Sequence, residues 1–197
     1  MASLLDEAFE RIPRHLFTAD EKVLFEQLEH FPQKMNYYSK VDDEEPLQGD
    51  GWKGIRFVAL ETGEAKEISV AILSNSCDIA ANNKRIRPPK ISIIPLISIA
   101  RFEQLLANSG VKIDKIADYV NAIRNQEVTN AFFFPQGAGI NEDKVAFLDD
   151  IQSPNLATVW SNQNKQRLFT LSQAGFWMFL YKLGIHFCRP RDGIARG

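Results

Sequence analysis

Five consecutive residues, Ser74-Asn75-Ser76-Cys77-Asp78, set two hydroxyls, an amide, a thiol and a carboxylate directly after the apolar run "ISVAIL". Two chemistries are open to them. Cys77 as a nucleophile needs a nearby base and a lowered thiol pKa. The chain's three histidines, His15, His30 and His186, are all distant in sequence. Asp78 as a general base, or as an acceptor for a ribose hydroxyl, needs only a ligand within reach. The structural alternative weighs most. Small polar residues turn the chain at a strand end, Asp78 accepts local backbone N–H groups, and Cys77 packs as a small hydrophobe. Ser74, Asn75, Cys77 and Asp78 are therefore read as ligand contacts in waiting rather than as a catalytic set.

The following loop, "NNKRIRPPK", is basic. From Ile79 to Phe102 there is no acid, while Lys84, Arg85, Arg87, Lys90 and Arg101 are cations. Pro88-Pro89 stiffens the exit. Such a loop suits a phosphate backbone, so Lys84, Arg85, Arg87 and Lys90 are the expected nucleic-acid contacts. The competing expectation is a solvated loop whose cations pair with carboxylates elsewhere, such as the acidic run 42–45. Arg189, Arg191 and Arg196 extend the patch only if the C-terminal tail folds beside it, and chain ends usually fray.

Composition bounds these readings. The 197 residues are 45% apolar and 24% charged, with a net charge of −2. That fits one well-buried domain and gives no global basic field. Polyanion binding must rest on a local patch. Two cysteines are too few for a disulfide framework, and no His/Cys spacing matches a metal site. No metal or cofactor is expected. With no leader-like N-terminus and no long apolar run, a reduced, cytoplasmic protein without membrane contact is expected.

The elements that must position these residues follow from periodicity. Leu5, Phe9 and Ile12, then Val23, Leu24, Leu28 and Phe31, recur at helical spacing, and Thr18 with Glu21 makes a capping box. Residues 1–45 are read as a helical extension that either covers an open barrel edge or offers a docking surface to a protein partner, and 46–197 as the main domain. Strands are expected over 55–60, 68–73, 91–96, 131–134 and 144–148, in one compact barrel-like sheet. The near-continuous apolar character of the second and third implies strands buried on both faces or closed into a small barrel. A helical insertion is expected at about 100–128, with stripes at Phe102, Leu105, Leu106 and at Ile113, Ile116, Val120, Ile123. A terminal helix over 172–187 would place Phe176, Phe179, Leu180, Leu183 and Phe187 on one face. The class is α+β and β-rich.

The β part resembles the MazF/PemK toxin family. The resemblance rests on Gly49-Asp50, Leu73-Ser74-Asn75, Ile93 to Ser98, Gly139-Ile140, Lys144-Val145, Asp150-Ile151-Gln152-Ser153 and a terminal helix after "RLFTLS". It covers about 49–98 and 132–185. It implies a small SH3-like β-barrel with a packed C-terminal helix, commonly a homodimer, and in active members metal-independent, sequence-selective RNA cleavage. The family's Gly-x-Arg-Pro is absent: Ile68-Ser69 stand in its place. Lys66 is the nearest cation and shares a strand face with Ile68, but its point charge replaces a bidentate fork poorly. Ile97 replaces the family's Thr, leaving Ser98, and the acid would be Glu64 or Glu67. A rebuilt catalytic site would thus consist of Glu64, Lys66 and Ser98. The resemblance implies a retained fold and a lost nuclease site: a module binding RNA, another polyanion or a protein partner in a bacterial toxin or defence setting. The alternatives are an endoribonuclease with that rebuilt site, or an immunity-type protein partner.

Overall fold

The computed structural model describes residues 35–40, 45–59, 62–83 and 85–188. The expected N-terminal helices, acidic residues 42–44, Lys84 and the C-terminal arginines lie outside them.

Runs of β-branched and aromatic residues bounded by Gly, Pro and Asn become strands. They are β1 (Tyr38–Ser39), β2 (Gly51–Val58), β3 (Ala65–Ile72), β4 (Ile93–Pro95), β5 (Ile97–Ser98), β6 (Ala131–Phe134), β7 (Lys144–Phe147) and β8 (Gln166–Leu171). Helices are α1 (Ser76–Ile79), α2 (Ile99–Asn108), α3 (Ile113–Arg124), α4 (Leu156–Trp160) and α5 (Gln173–Cys188). The α+β class holds. The single barrel-like sheet does not: the strands form two antiparallel sheets, in the orders β1-β8-β2-β3-β4 and β5-β7-β6. The handover lies at Leu96, between β4 and β5: its N–H still donates to the Ser69 carbonyl of β3 at 2.8 Å, and from Ile97 the chain pairs with β7. Bridges Ile93↔Gln152 and Lys90↔Asn155 continue the contact between the two sheets.

Alternation along each strand builds three apolar layers. Between the sheets lie Ala71, Ile94 and Leu96 from one, and Phe132, Phe134, Ala146 and Leu148 from the other, closed by Met178 and Phe179 of α5. The outer face of the first sheet buries Trp52, Ile55, Val70, Ile72 and Ile93 under Ile79 and Val159. The outer face of the second buries Ala131, Phe133 and Val145 under Ile116, Val120 and Ile123 of α3. Every residue of β6 is buried because both its faces are covered. Each fully buried Ile or Phe side chain here contributes about 1.5–3 kcal/mol.

Two expected helix faces shift. In α5 the buried residues are Ala174, Gly175, Met178, Phe179 and Lys182, while Phe187 is exposed. Close approach selects this face: a β-carbon on Gly175 would lie 2.5 Å from the Tyr37 carbonyl oxygen. In the insertion, Ile116, Val120 and Ile123 are buried as expected, but Ile113 at the first turn is 86% exposed. The helical stretch is two helices, split where Gly110 adopts a positive φ of 81°.

Candidate polyanion-binding site

The polar cluster after β3 forms the short helix α1 and one wall of an open cleft. Asn75 caps α1: its Oδ1 accepts the Cys77 N–H at 2.9 Å, and its carbonyl accepts the Asp78 N–H at 2.9 Å. Ser74 Oγ accepts the Ser92 N–H at 2.7 Å, and Ser76 Oγ accepts the Gln48 N–H at 2.9 Å. These bonds pin the start of the loop to β4's approach and to the 45–48 turn. The cleft, of about 510 Å³, is lined by Ser76, Cys77, Ala80, Asn82 and Asn83 opposite Glu45, Pro46 and Leu47. That volume lies in the range of small-ligand sites.

Asn82 and Asn83, at the start of the loop, line this cleft. Asn83 Nδ2 donates to the Cys77 carbonyl at 2.7 Å, and Arg85 Nη2 pairs with Asp78 Oδ1. Arg85 thus pairs with a carboxylate of the cluster itself; residues 42–44 of the expected acidic run lie outside the described residues. Arg87 and Lys90 are exposed and enter no ion pair among the described residues. The far end of the loop is anchored by Lys90↔Asn155, by the Ile91 N–H on the Pro154 carbonyl at 3.0 Å, and by the Leu156 N–H on the Pro89 carbonyl at 2.9 Å. Ile86, between the arginines, is fully exposed.

Glu64, Lys66 and Ser98 do not assemble. Lys66 Nζ meets Glu64 Oε2 at 2.7 Å on the exposed β2–β3 hairpin, where the Lys66 ammonium holds the Glu64 carboxyl below its ordinary range. Ser98 Oγ accepts the Arg101 N–H at 3.2 Å as the N-cap of α2. No polar contact joins the two groups among the described residues. Cys77 is exposed, and His186, the one histidine among the described residues, stacks on Phe187 near the end of α5. Among the described residues no histidine is placed in contact with the thiol. Among the described residues no group of His, Cys, Asp or Glu could hold a metal ion, and no helix is long and apolar enough to cross a membrane.

A buried charged cluster at the start of β2 escaped the reading of the sequence. Asp50 is wholly buried, with Oδ2 3.0 Å from Arg167 Nε and accepting the Leu47 N–H at 3.0 Å. Arg167 lies 4.9 Å from the Trp52 ring centroid and donates to the Glu45 carbonyl. Burial raises the Asp50 pKa, opposed by the Leu47 N–H, the Thr170 hydroxyl, the Arg167 guanidinium and the Trp52 indole. The cluster ties the 45–50 turn, one wall of the cleft, to β8. Arg167's position next to the apolar "LFTL" was the available signal, but its partner lies 117 residues away.

No family model matches the chain, and no curated protein matches it.

Proposed function

We propose that the chain is a non-catalytic binding module that holds a polyanion, RNA in the first place, on a MazF/PemK-like, SH3-like barrel framework in a bacterial toxin or defence setting. The observation that carries this reading is that one loop brings Asn82 and Asn83 to the cleft and holds Arg87 and Lys90 exposed, in no ion pair among the described residues. Asn82 and Asn83 offer amides to a base or ribose in the cleft, and the cations lie along the same loop for the phosphates. The bridges of Ile93 in β4 to Gln152 and of Lys90 to Asn155 support an opened barrel, since they tie the first sheet's edge to the segment that follows β7. The loss of cleavage is supported by the structural duties of the rebuilt set: Ser98 caps a helix and Glu64 neutralises Lys66.

Fluorescence anisotropy with a mixed-sequence RNA tests the reading. The Arg87→Ala/Lys90→Ala variant is expected to weaken binding uniformly across sequences and to flatten the log–log salt slope by about 1.4, roughly 0.7 for each single-strand phosphate contact. A normally folded variant with unchanged binding would exclude the loop. The same RNA is expected to stay intact on incubation. Cleavage that survives metal chelation and disappears in Lys66→Ala would instead establish the endoribonuclease.

One observation favours a second reading. A fully exposed Ile86 flanked by arginines also fits an apolar pocket with an acidic rim on a protein partner. Ile86→Ala would then abolish partner capture and leave RNA binding unchanged.

A further inference from the structure

We infer that Asp78 is an electrostatic latch on Arg85, so that a phosphate must displace its carboxylate before the loop engages a polyanion fully. The inference rests on the polyanion reading and assigns that site its regulation. Asp78 is held in place by the Asn75 cap, which fixes the backbone at both Cys77 and Asp78. Arg85 reaches it from seven residues on, after Asn83 has already bound the Cys77 carbonyl. The pair is open to water: the Arg85 side chain is 34% exposed and that of Asp78 64%. An exposed pair of this kind is weak. A phosphate offers the guanidinium a bidentate partner of higher charge, and so competes well.

The loop need not refold when the pair opens. Its exit is secured separately, at Lys90↔Asn155 and at Ile91 N–H to the Pro154 carbonyl. The free protein therefore presents Arg87 and Lys90, and gains Arg85 only against a ligand able to outcompete a carboxylate. The released Asp78 charge also repels phosphates nearby. Both effects select a densely charged chain over an isolated anion, because only neighbouring contacts on Arg87 and Lys90 hold the ligand while the exchange occurs.

The test is an anisotropy titration of a mixed-sequence RNA of about 16 nucleotides across a range of salt. Asp78→Ala and Asp78→Asn are expected to bind about three- to five-fold tighter at low salt, and their log–log slope to steepen by about 0.7. In the Asp78→Ala/Arg85→Ala double variant most of that gain should vanish. Asp78→Asn keeps the side chain's shape, so it decides the matter if Asp78→Ala disturbs α1. RNA binding by the wild type with both single variants unchanged overturns the latch alone. A gain that persists in full in the double variant overturns it too, since simple repulsion would then suffice. If neither the wild type nor the variants bind RNA, the polyanion reading falls and the latch with it.

Discussion

Asp50→Ala is expected to lower the unfolding free energy by about 3–5 kcal/mol and the melting temperature by roughly 10 °C or more for a chain of this size. The carboxylate is wholly buried and its charge is matched by Arg167, whose side chain is only 17% exposed. Removing the carboxylate takes away the buried charge that lies 3.0 Å from Arg167 Nε. Arg167 would keep its bond to the Glu45 carbonyl and its place over Trp52, which softens the loss without replacing the charge. The Leu47 N–H would lose its acceptor as well. Asp50→Asn should cost less, because an amide oxygen can still accept that N–H. The double variant Asp50→Leu/Arg167→Met should recover part of the loss, since no buried charge remains. Urea unfolding checks all four proteins, with an unchanged slope showing that the native state stays compact. An Asp50→Ala variant within about 1 kcal/mol of wild type would mean that the pair stabilises nothing net.

Local patterning carried most of the fold, and its failures are long-range. The strand at 131–134 was legible residue for residue, because an unbroken aromatic run has few other uses in a buried sheet. The N-terminal edges of β2 and β3 moved outward by several residues, and their far ends retreated to Val58 and Ile72, since pairing between them draws in Lys53, Gly54, Lys66 and Glu67, which have low intrinsic strand preference. Gly54, at a positive φ of 72°, makes the bulge that periodicity cannot show; a β-carbon there would lie 2.5 Å from the Asn164 carbonyl oxygen. The strand β8 was missed because "RLFTL" reads equally as the lead-in to a helix. Its identity depends on β1 and β2 flanking it. The division into two sheets depends on where Leu96 hands the chain from β3 to β7, a tertiary choice.

The candidate site divides in the same way. Its polar turn and basic loop were visible because composition changes sharply at Ser74 and again at Lys84. The pairing of Asp78 with Arg85 was not, since it needs the loop to double back, which the Asn75 cap and Asn83 bring about. The grouping of Glu64, Lys66 and Ser98 came from a family's order of motifs. In space, the first two occupy a hairpin and the third starts a helix. Lys182 was hidden for a different reason: a lone lysine in "FLYKLG" suggests a solvated position, and only the helix's rotation buries it.

That buried lysine sets the second large expectation: raising the pH from 8 to 10 should stabilise the protein by about 1–2 kcal/mol. Lys182 is 3% exposed, and its Nζ donates to the Gln126 carbonyl at 2.8 Å and to the Val128 carbonyl. It thereby caps the chain leaving α3 and ties α5 to the insertion. It enters no ion pair among the described residues, and desolvation lowers its pKa from 10.5 to about 8. Below pH 8 the amine is protonated in both states, so it contributes no slope. Between about 8 and 10.5 the unfolded chain holds a proton that the folded protein has given up. Where the unfolded state binds more protons, stability rises with pH. The neutral amine still has two N–H donors, so both carbonyls stay satisfied after deprotonation. The rise ends near pH 10, because burial pushes the Tyr37 hydroxyl up to about 12, against the opposing pull of Gln126, and raises Tyr38 as well. Above that point the unfolded tyrosines lose protons that the folded ones retain, and stability falls. Lys182→Met keeps most of the side-chain volume and removes the titrating group. Its stability should show no rise between pH 8 and 10, and should fall as the tyrosines titrate in the unfolded chain. Urea midpoints measured at half-unit steps would show this, and a variant profile that still rises by the wild-type amount would assign the effect to another group.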